Sequence, residues 1–164
     1  MGRVVKRRVP QSPDEWVQRA VRYLARFDRT AAQVERFLRG KGASPAQAKQ
    51  TIRRLSALRY LDDRAYAERW IQGSLARAPM GRERLRAELL ARGLSDGLAD
   101  AAIREALQDV DEATLARLAL RLNQRKGGRL LARQAVGLLR RRGFEEDTIE
   151  SIMGGRSEIK EHET

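Results

Sequence analysis

The chain has no cysteine, which excludes disulfides and thiolate zinc sites. It has one histidine, His162, set in a polar tail with no catalytic partner near it. There is no Gly-x-Ser-x-Gly nucleophile elbow. Gly40-Lys41-Gly42 and Lys126-Gly127-Gly128 neither follow a strand nor fit the spacing of a phosphate loop, and both read as helix ends. No apolar run approaches the roughly 18 residues of a transmembrane helix. Residues 1–10 are basic but lack the apolar stretch of a secretory signal. Strand signals are missing as well: no alternation of period two is sustained, and no hairpin turn joins two β-branched runs. These absences predict a soluble, cytoplasmic, all-α protein with no catalytic residues, no metal and no cofactor.

What the chain does have is positive charge and helical periodicity. Lys+Arg number 34 against 22 Asp+Glu, for a formal net charge of +12 in 164 residues. That balance points to an acidic partner, most often nucleic acid. Of the 34 basic residues 29 are arginine, a bias that a genome rich in G and C produces without any function, so position says more than number. Residues 1–8 carry +4, residues 9–60 carry +7, residues 61–109 carry −1, and residues 110–155 carry +3. Both ends are basic and the middle is not.

The chain also repeats itself. Val34–Gly42, Leu85–Gly93 and Ala135–Gly143 each end a helical pattern with a glycine, and the glycines lie 51 and 50 residues apart. Four residues before each glycine stands Leu38, Leu89 or Leu139. Six after it stands Ala48, Ala99 or Ile149, and ten after it Ile52, Ile103 or Met153. A pattern shared at a fixed period is the signature of repeated supersecondary units. Units of this size are marginal alone, so three in tandem are expected to share apolar faces in an elongated, curved, repeat-like body.

Each unit reads as three helices. Ser12-Pro13-Asp14-Glu15 has the form of a capping box with proline at the first helical position. Trp16, Ala20, Tyr23, Leu24 and Phe27 follow as an apolar stripe. Thr30–Gln33 and Ser44–Gln47 are two further boxes, and Ser95 caps the third helix of the second unit. Breaks fall at Ala78–Gly81 and at Gly127-Gly128. The expected organisation is a basic tail over 1–11, three-helix modules over 12–60, 61–109 and 110–155, and a polar tail over 156–164. Asp62-Asp63, Asp111-Glu112 and Glu145-Glu146-Asp147 sit where helices begin. They are read as satisfying free N–H groups and the positive end of the helix rather than as holding magnesium.

Two arginine stripes are the candidates for binding. Arg19, Arg22, Arg26 and Arg29 are spaced 3, 4 and 3, along one side of a first helix. Arg117, Arg121 and Arg125 are spaced 4 and 4, with Lys126, Arg129 and Arg133 beyond them. Such stripes can track phosphates and release counterions, although a solvated helix face has the same appearance. The aromatics number eight, and Trp16, Tyr23, Phe27, Phe37, Tyr66 and Trp70 fall on apolar helical stripes. Few are therefore expected to remain as stacking platforms for unpaired bases. The expected DNA contact is electrostatic and tolerant of sequence.

Three segments carry a family resemblance. Leu61-Asp62-Asp63-Arg64-Ala65-Tyr66-Ala67 resembles a Leu-Asp-Asp-x-x-Phe/Tyr-Ala motif of the bacterial RecX regulatory proteins. Gly81–Gly93 resembles that family's Gly-x-x-[Arg/Lys]-[Ile/Leu]-x-x-Glu-Leu-x-x-[Arg/Lys]-Gly segment, and Arg29–Val34 its N-terminal pattern. The resemblance covers roughly residues 14–155 and is weakest in the third unit, where Arg142-Gly143-Phe144 carries it. Arg82 departs from the family, which usually has proline after that glycine. The resemblance implies tandem three-helix modules that bind the RecA recombinase, chiefly as a filament on single-stranded DNA, and restrain strand exchange, ATP hydrolysis and coprotease activity in the SOS response. The expected partners are that filament and DNA, single-stranded first and double-stranded second, with the chain a monomer. The neutral middle module would then meet protein, with Arg82, Arg84, Arg86 and Arg92 as candidates. The alternatives are a stand-alone helical transcription regulator and a pure scaffold.

Overall fold

A computed structural model of the chain describes residues 9–10, 12–127 and 130–158. The described residues form nine helices and no strand: α1 Pro13–Leu24, α2 Ala31–Gly40, α3 Pro45–Ala57, α4 Asp63–Arg77, α5 Arg82–Ala91, α6 Asp96–Ala106, α7 Glu112–Gly127, α8 Ala132–Arg141 and α9 Glu146–Glu158.

Local chemistry sets the helix starts. Ser12 Oγ accepts from the Glu15 N–H at 3.3 Å, ahead of a proline that has no N–H to satisfy. Thr30 and Gln33 exchange both bonds of a capping box, at 3.2 and 3.1 Å, and Ser44 and Gln47 do the same at 3.2 and 2.8 Å. Ser95 Oγ accepts from the Leu98 N–H, and the Gln134 carboxamide accepts from the Leu131 N–H at 2.9 Å.

The helix ends are equally local. Gly42, Gly93 and Gly143 all adopt left-handed backbone, with φ of 98°, 86° and 73°. That conformation costs an L side chain roughly 1–2 kcal/mol. After α2 and α8 the chain closes as a Schellman turn, with Ala43 N–H donating to Leu38 O and Phe144 N–H to Leu139 O.

The described chain divides into two compact units, and the division falls inside α4. The first takes the chain up to Tyr66 together with Arg92–Leu94. Its core is Trp16 and Ala20 of α1, Val34 and Leu38 of α2, and Ala48 and Leu55 of α3, closed by Ala43 and Leu61. Helix α3 packs against both α1 and α2. The second unit takes Ala67–Ala91 and the chain from Ser95 on. In it α5 packs on α6, and α9 packs on both α7 and α8. Ala116, Leu120, Leu138, Leu139, Phe144, Ile149 and Ile152 fill the space among the last three helices.

The repeated leucines Leu38, Leu89 and Leu139 are fully buried, as are Ala48 and Ala99, with Ile149 1% exposed. Burying one such leucine contributes about 1.5–3 kcal/mol. Truncating any of them to alanine would cost about 2–5 kcal/mol, because a cavity is left behind.

Candidate nucleic-acid interface

In the first unit the expected arginine stripe is broken. Helix α1 ends at Leu24, so Arg19 and Arg22 lie on it and Arg26 and Arg29 lie in the connection to α2. The cause is local: the Thr30 box must begin α2 at Ala31, and the chain needs residues to turn before it. Arg22 and Arg26 are exposed, whereas Arg29 is half-buried.

The Arg29 guanidinium lies 5.1 Å from the centre of the Tyr23 ring and 5.3 Å from that of Phe27. Tyr23 in turn stacks on Phe37, the ring centres 4.0 Å apart and the planes 2° from parallel. Lys41 Nζ lies 5.7 Å from the Phe37 ring centre. Phe27 is 66% exposed. The expectation that Tyr23, Phe27 and Phe37 all pack in the core is corrected here for Phe27. Phe27 leaves the helix with the chain, and Tyr23 and Phe37 flank the core half-buried. The signal was legible: a capping box at Thr30 leaves position 27 no helix to belong to.

In the second unit, Arg117 and Arg121 are exposed on α7. Arg117 Nη1 lies 4.0 Å from Asp111 Oδ2, a contact long enough to leave the guanidinium accessible to another anion. The side chains of Arg125 and Lys126, and all of Arg129, lie outside the described residues. Arg133 lines an open cavity of about 470 Å³ between α7 and α8, together with Asn123, Gln134 and Arg141. Arg141 belongs to the run Arg140-Arg141-Arg142 that closes the third unit in the sequence, whereas Asn123 carries no such signal, because it joins these side chains only when α8 folds against α7.

Of the arginines expected to meet a protein partner, Arg84 and Arg86 have guanidinium partners within the chain, while Arg82 and Arg92 bond through their backbone. Arg86 bridges Asp96 and Asp100 of α6, the latter at 2.7 Å. Arg84 donates to the Arg141 carbonyl at 2.9 Å and approaches Glu88. The Arg92 carbonyl accepts from Thr30 Oγ1 at 2.6 Å. Arg82 uses its backbone N–H, which donates to Glu112 Oε1 at 2.9 Å. A proline at that position would have no hydrogen to give.

The acidic helix starts need one correction. Asp62 caps its own helix, accepting from the Ala65 N–H at 3.0 Å. Asp111 likewise accepts from the Ala113 and Thr114 N–H groups, and the bond from the Thr114 hydroxyl holds its carboxyl below the usual carboxylate range. Asp63 and Glu112 instead reach another helix. Asp63 Oδ1 accepts from the Ala31 N–H at 2.8 Å, at the start of α2, and burial pushes its carboxyl above the usual range. Glu112, 8% exposed, accepts from the Arg82 N–H at the start of α5 and from the Thr148 hydroxyl. Both place a carboxylate on the positive end of a helix, where its N–H groups lack partners.

The glycine turns dock on the same two helix starts. Within the first unit, a Cβ at Gly93 would overlap the Ala32 side chain. Within the second, Gly81 and Glu83 donate their N–H groups to the Arg142 and Gly143 carbonyls at 2.9 and 3.2 Å. A Cβ at Gly143 would there overlap the backbone nitrogen of Arg84. Among the described residues no cluster of histidine or carboxylate side chains could hold a metal ion, and no helix is long and apolar enough to cross a membrane.

Comparison with known proteins gives this architecture a family. Residues 17–55 match the model of the first three-helix domain of RecX, and residues 62–103 match that of the second. The regulatory protein RecX of Trichlorobacter lovleyi is 30% identical over 145 residues, which is 85% of this chain and 94% of that protein. The regulatory protein RecX of Chlorobaculum tepidum is 32% identical over 136 residues, covering 79% and 81% of the two chains. The crystal structure of RecX from Lactobacillus salivarius superposes with a TM-score of 0.71 at 22% identity, over 87% of this chain and 95% of that one, and shares the fold. With its tandem three-helix architecture, its left-handed glycine turns and these relatives, the chain belongs to the RecX family of regulatory proteins.

Proposed function

We propose that this chain is a non-catalytic negative regulator of the RecA recombinase in the cytoplasm. It binds the RecA filament on single-stranded DNA and restrains strand exchange, ATP hydrolysis and SOS coprotease activity. Membership of the RecX family carries the reading, and the exposed cations of both units supply chemistry that suits a nucleoprotein filament. The working parts are three-helix modules over 12–60, 61–109 and 110–155. The basic first and third modules meet phosphates, and the near-neutral second meets protein. A ligand that holds both kinds of contact in one filament state shifts the population toward that state.

The test is a titration of the chain into RecA with single-stranded DNA and ATP. Hydrolysis should fall as the chain is added and recover as salt rises, because phosphate contacts release counterions. Unchanged hydrolysis, with one duplex sequence preferred by about a thousandfold, would replace this reading with a transcription regulator.

A further inference from the structure

The five side chains around the α1–α2 connection form one ladder, in the order Lys41, Phe37, Tyr23, Arg29, Phe27, in which each rung is a π face or a cation in contact range of the next. The inner rungs help to close the first unit: Tyr23 and Phe37 pack against the core from one side. The outermost rung closes nothing. Phe27 is 66% exposed and stands outside both helices, and of the described contacts its ring keeps the one to Arg29. An exposed cation–π pair contributes less than burying a phenylalanine side chain would. Phe27 therefore gains little for the fold where it stands.

The surroundings of that ring are cationic. Seven basic and two acidic side chains lie between positions 19 and 41, and Arg22, Arg26, Arg36, Arg39 and Lys41 are exposed. An apolar protein partner would have to desolvate these charges to reach Phe27. A flat aromatic ligand that carries its own negative charge meets both features at once.

We infer that Phe27, backed by Arg29, Tyr23 and Phe37, is a stacking platform for unpaired nucleobases, with Arg22 and Arg26 meeting the flanking phosphates. The ligand class is single-stranded nucleic acid. Every base has a π face, so the site tolerates sequence. Bases inside a duplex are already stacked on each other, so the site discriminates against double strands. The cations alone do not, since either polymer neutralises them. This deepens the DNA half of the proposed function and rests on it for the polymer, but it requires binding by the chain alone, without RecA.

The experiment uses the full chain and a labelled oligothymidylate of roughly 20 nucleotides, long enough to cover one stacking site with its flanks. Anisotropy is read against a duplex of the same length over a series of salt concentrations. Phe27→Ala should weaken oligothymidylate binding by about tenfold, the scale of one lost base stack. It should leave duplex binding and the salt slope unchanged, because the ring releases no counterions. Phe27→Trp should retain binding, and its added indole fluorescence should be quenched by oligothymidylate and not by duplex. Arg22→Glu with Arg26→Glu should lower the salt slope for both polymers. Phe27 is exposed, so neither of its variants should shift the melting temperature.

Wild-type affinity for oligothymidylate in Phe27→Ala, or an equal loss for both polymers, would overturn the inference. So would an unquenched Phe27→Trp, or a Phe27→Ala variant that loses RecA inhibition while binding oligothymidylate normally. That last result would make the ring a protein contact. A parent chain that inhibits RecA without binding oligothymidylate overturns the stacking site and leaves the proposed function standing. A parent chain that binds oligothymidylate through Phe27 and leaves RecA untouched does the reverse.

Discussion

The turn after α2 and the turn after α8 are built alike and used differently. Both close with a left-handed glycine and a Schellman bond from the next residue. At Gly42 an added Cβ would meet only Val9, at an ordinary 3.6 Å. At Gly143 it would overlap the backbone of Arg84, because the start of α5 lies against the turn. The first glycine is needed for its conformation alone, the second also for the space its missing side chain leaves. A motif that ends a helix has been reused, 101 residues on, as a docking surface.

That contrast sets the order of expected effects. Gly143→Ala combines left-handed strain with backbone overpacking and should cost about 3 kcal/mol or more. For a chain of this size that is a fall in melting temperature on the order of 10 °C. Gly93→Ala should cost about 2–4 kcal/mol, and a second change, Ala32→Gly, should recover the part due to overlap, because its neighbour is a side chain and not backbone. Gly42→Ala should cost only about 1 kcal/mol, the conformational part alone. Equal losses at Gly42 and Gly143 in thermal melts would mean that docking adds nothing.

The two carboxylates that cap neighbouring helices sharpen the comparison. Glu112→Ala strips acceptors from the Arg82 N–H and the Thr148 hydroxyl and should cost about 2–3 kcal/mol. Asp63→Ala strips one acceptor, from the Ala31 N–H, and should cost about 1–2 kcal/mol. Denaturant midpoints that rank Asp63→Ala above Glu112→Ala would reverse that assignment.

Asp63→Asn should have the smallest effect, since asparagine still accepts at the helix start. Its sign depends on pH. Burial raises the Asp63 carboxyl above its ordinary value. Its contribution to stability is therefore full below the unfolded value and is lost as pH rises through the raised one. The asparagine variant carries no such loss, so its melting temperature relative to the parent should be higher at about pH 7 than at about pH 3, on either side of the ordinary aspartate value. Glu146 runs the other way. Its bond with Arg140 lowers its carboxyl, so its contribution is present above the ordinary glutamate value and lost as pH falls through the lowered one. Glu146→Gln should therefore flatten the acid limb of the parent's melting curve, and an unchanged limb would remove the pair from the account.

Much of the candidate interface was open to reading in the sequence, and the part that was not has a common cause. Arg19, Arg22, Arg121 and Arg133 stand out by spacing and are on the surface in one degree or another. Arg29 shares that spacing yet lies between two rings, because periodicity assumes a helix that the Thr30 box had already ended. Arg84 and Arg86 look like free cations in the sequence, and their partners are a carbonyl 57 residues away and two carboxylates on the next helix. Spacing reports which side chains share a face and is silent on what that face meets.

The amino-acid sequence by itself determined the helical class, the helix starts at Ser12, Thr30, Ser44 and Ser95, the glycine turns and the buried leucines. Each depends on groups within about four residues of one another, or on a periodic apolar stripe, and these act before the rest of the chain is in place. Tertiary structure alone decided that Asp63 and Glu112 cap helices 32 and 30 residues away, that Thr30 holds the Arg92 carbonyl from 62 residues off, and that Gly143 is a docking surface where Gly42 is not. An acid at a helix start can satisfy its own N–H groups or a neighbour's with the same chemistry. Which it does is settled by the packing that brings a second helix start within hydrogen-bond reach.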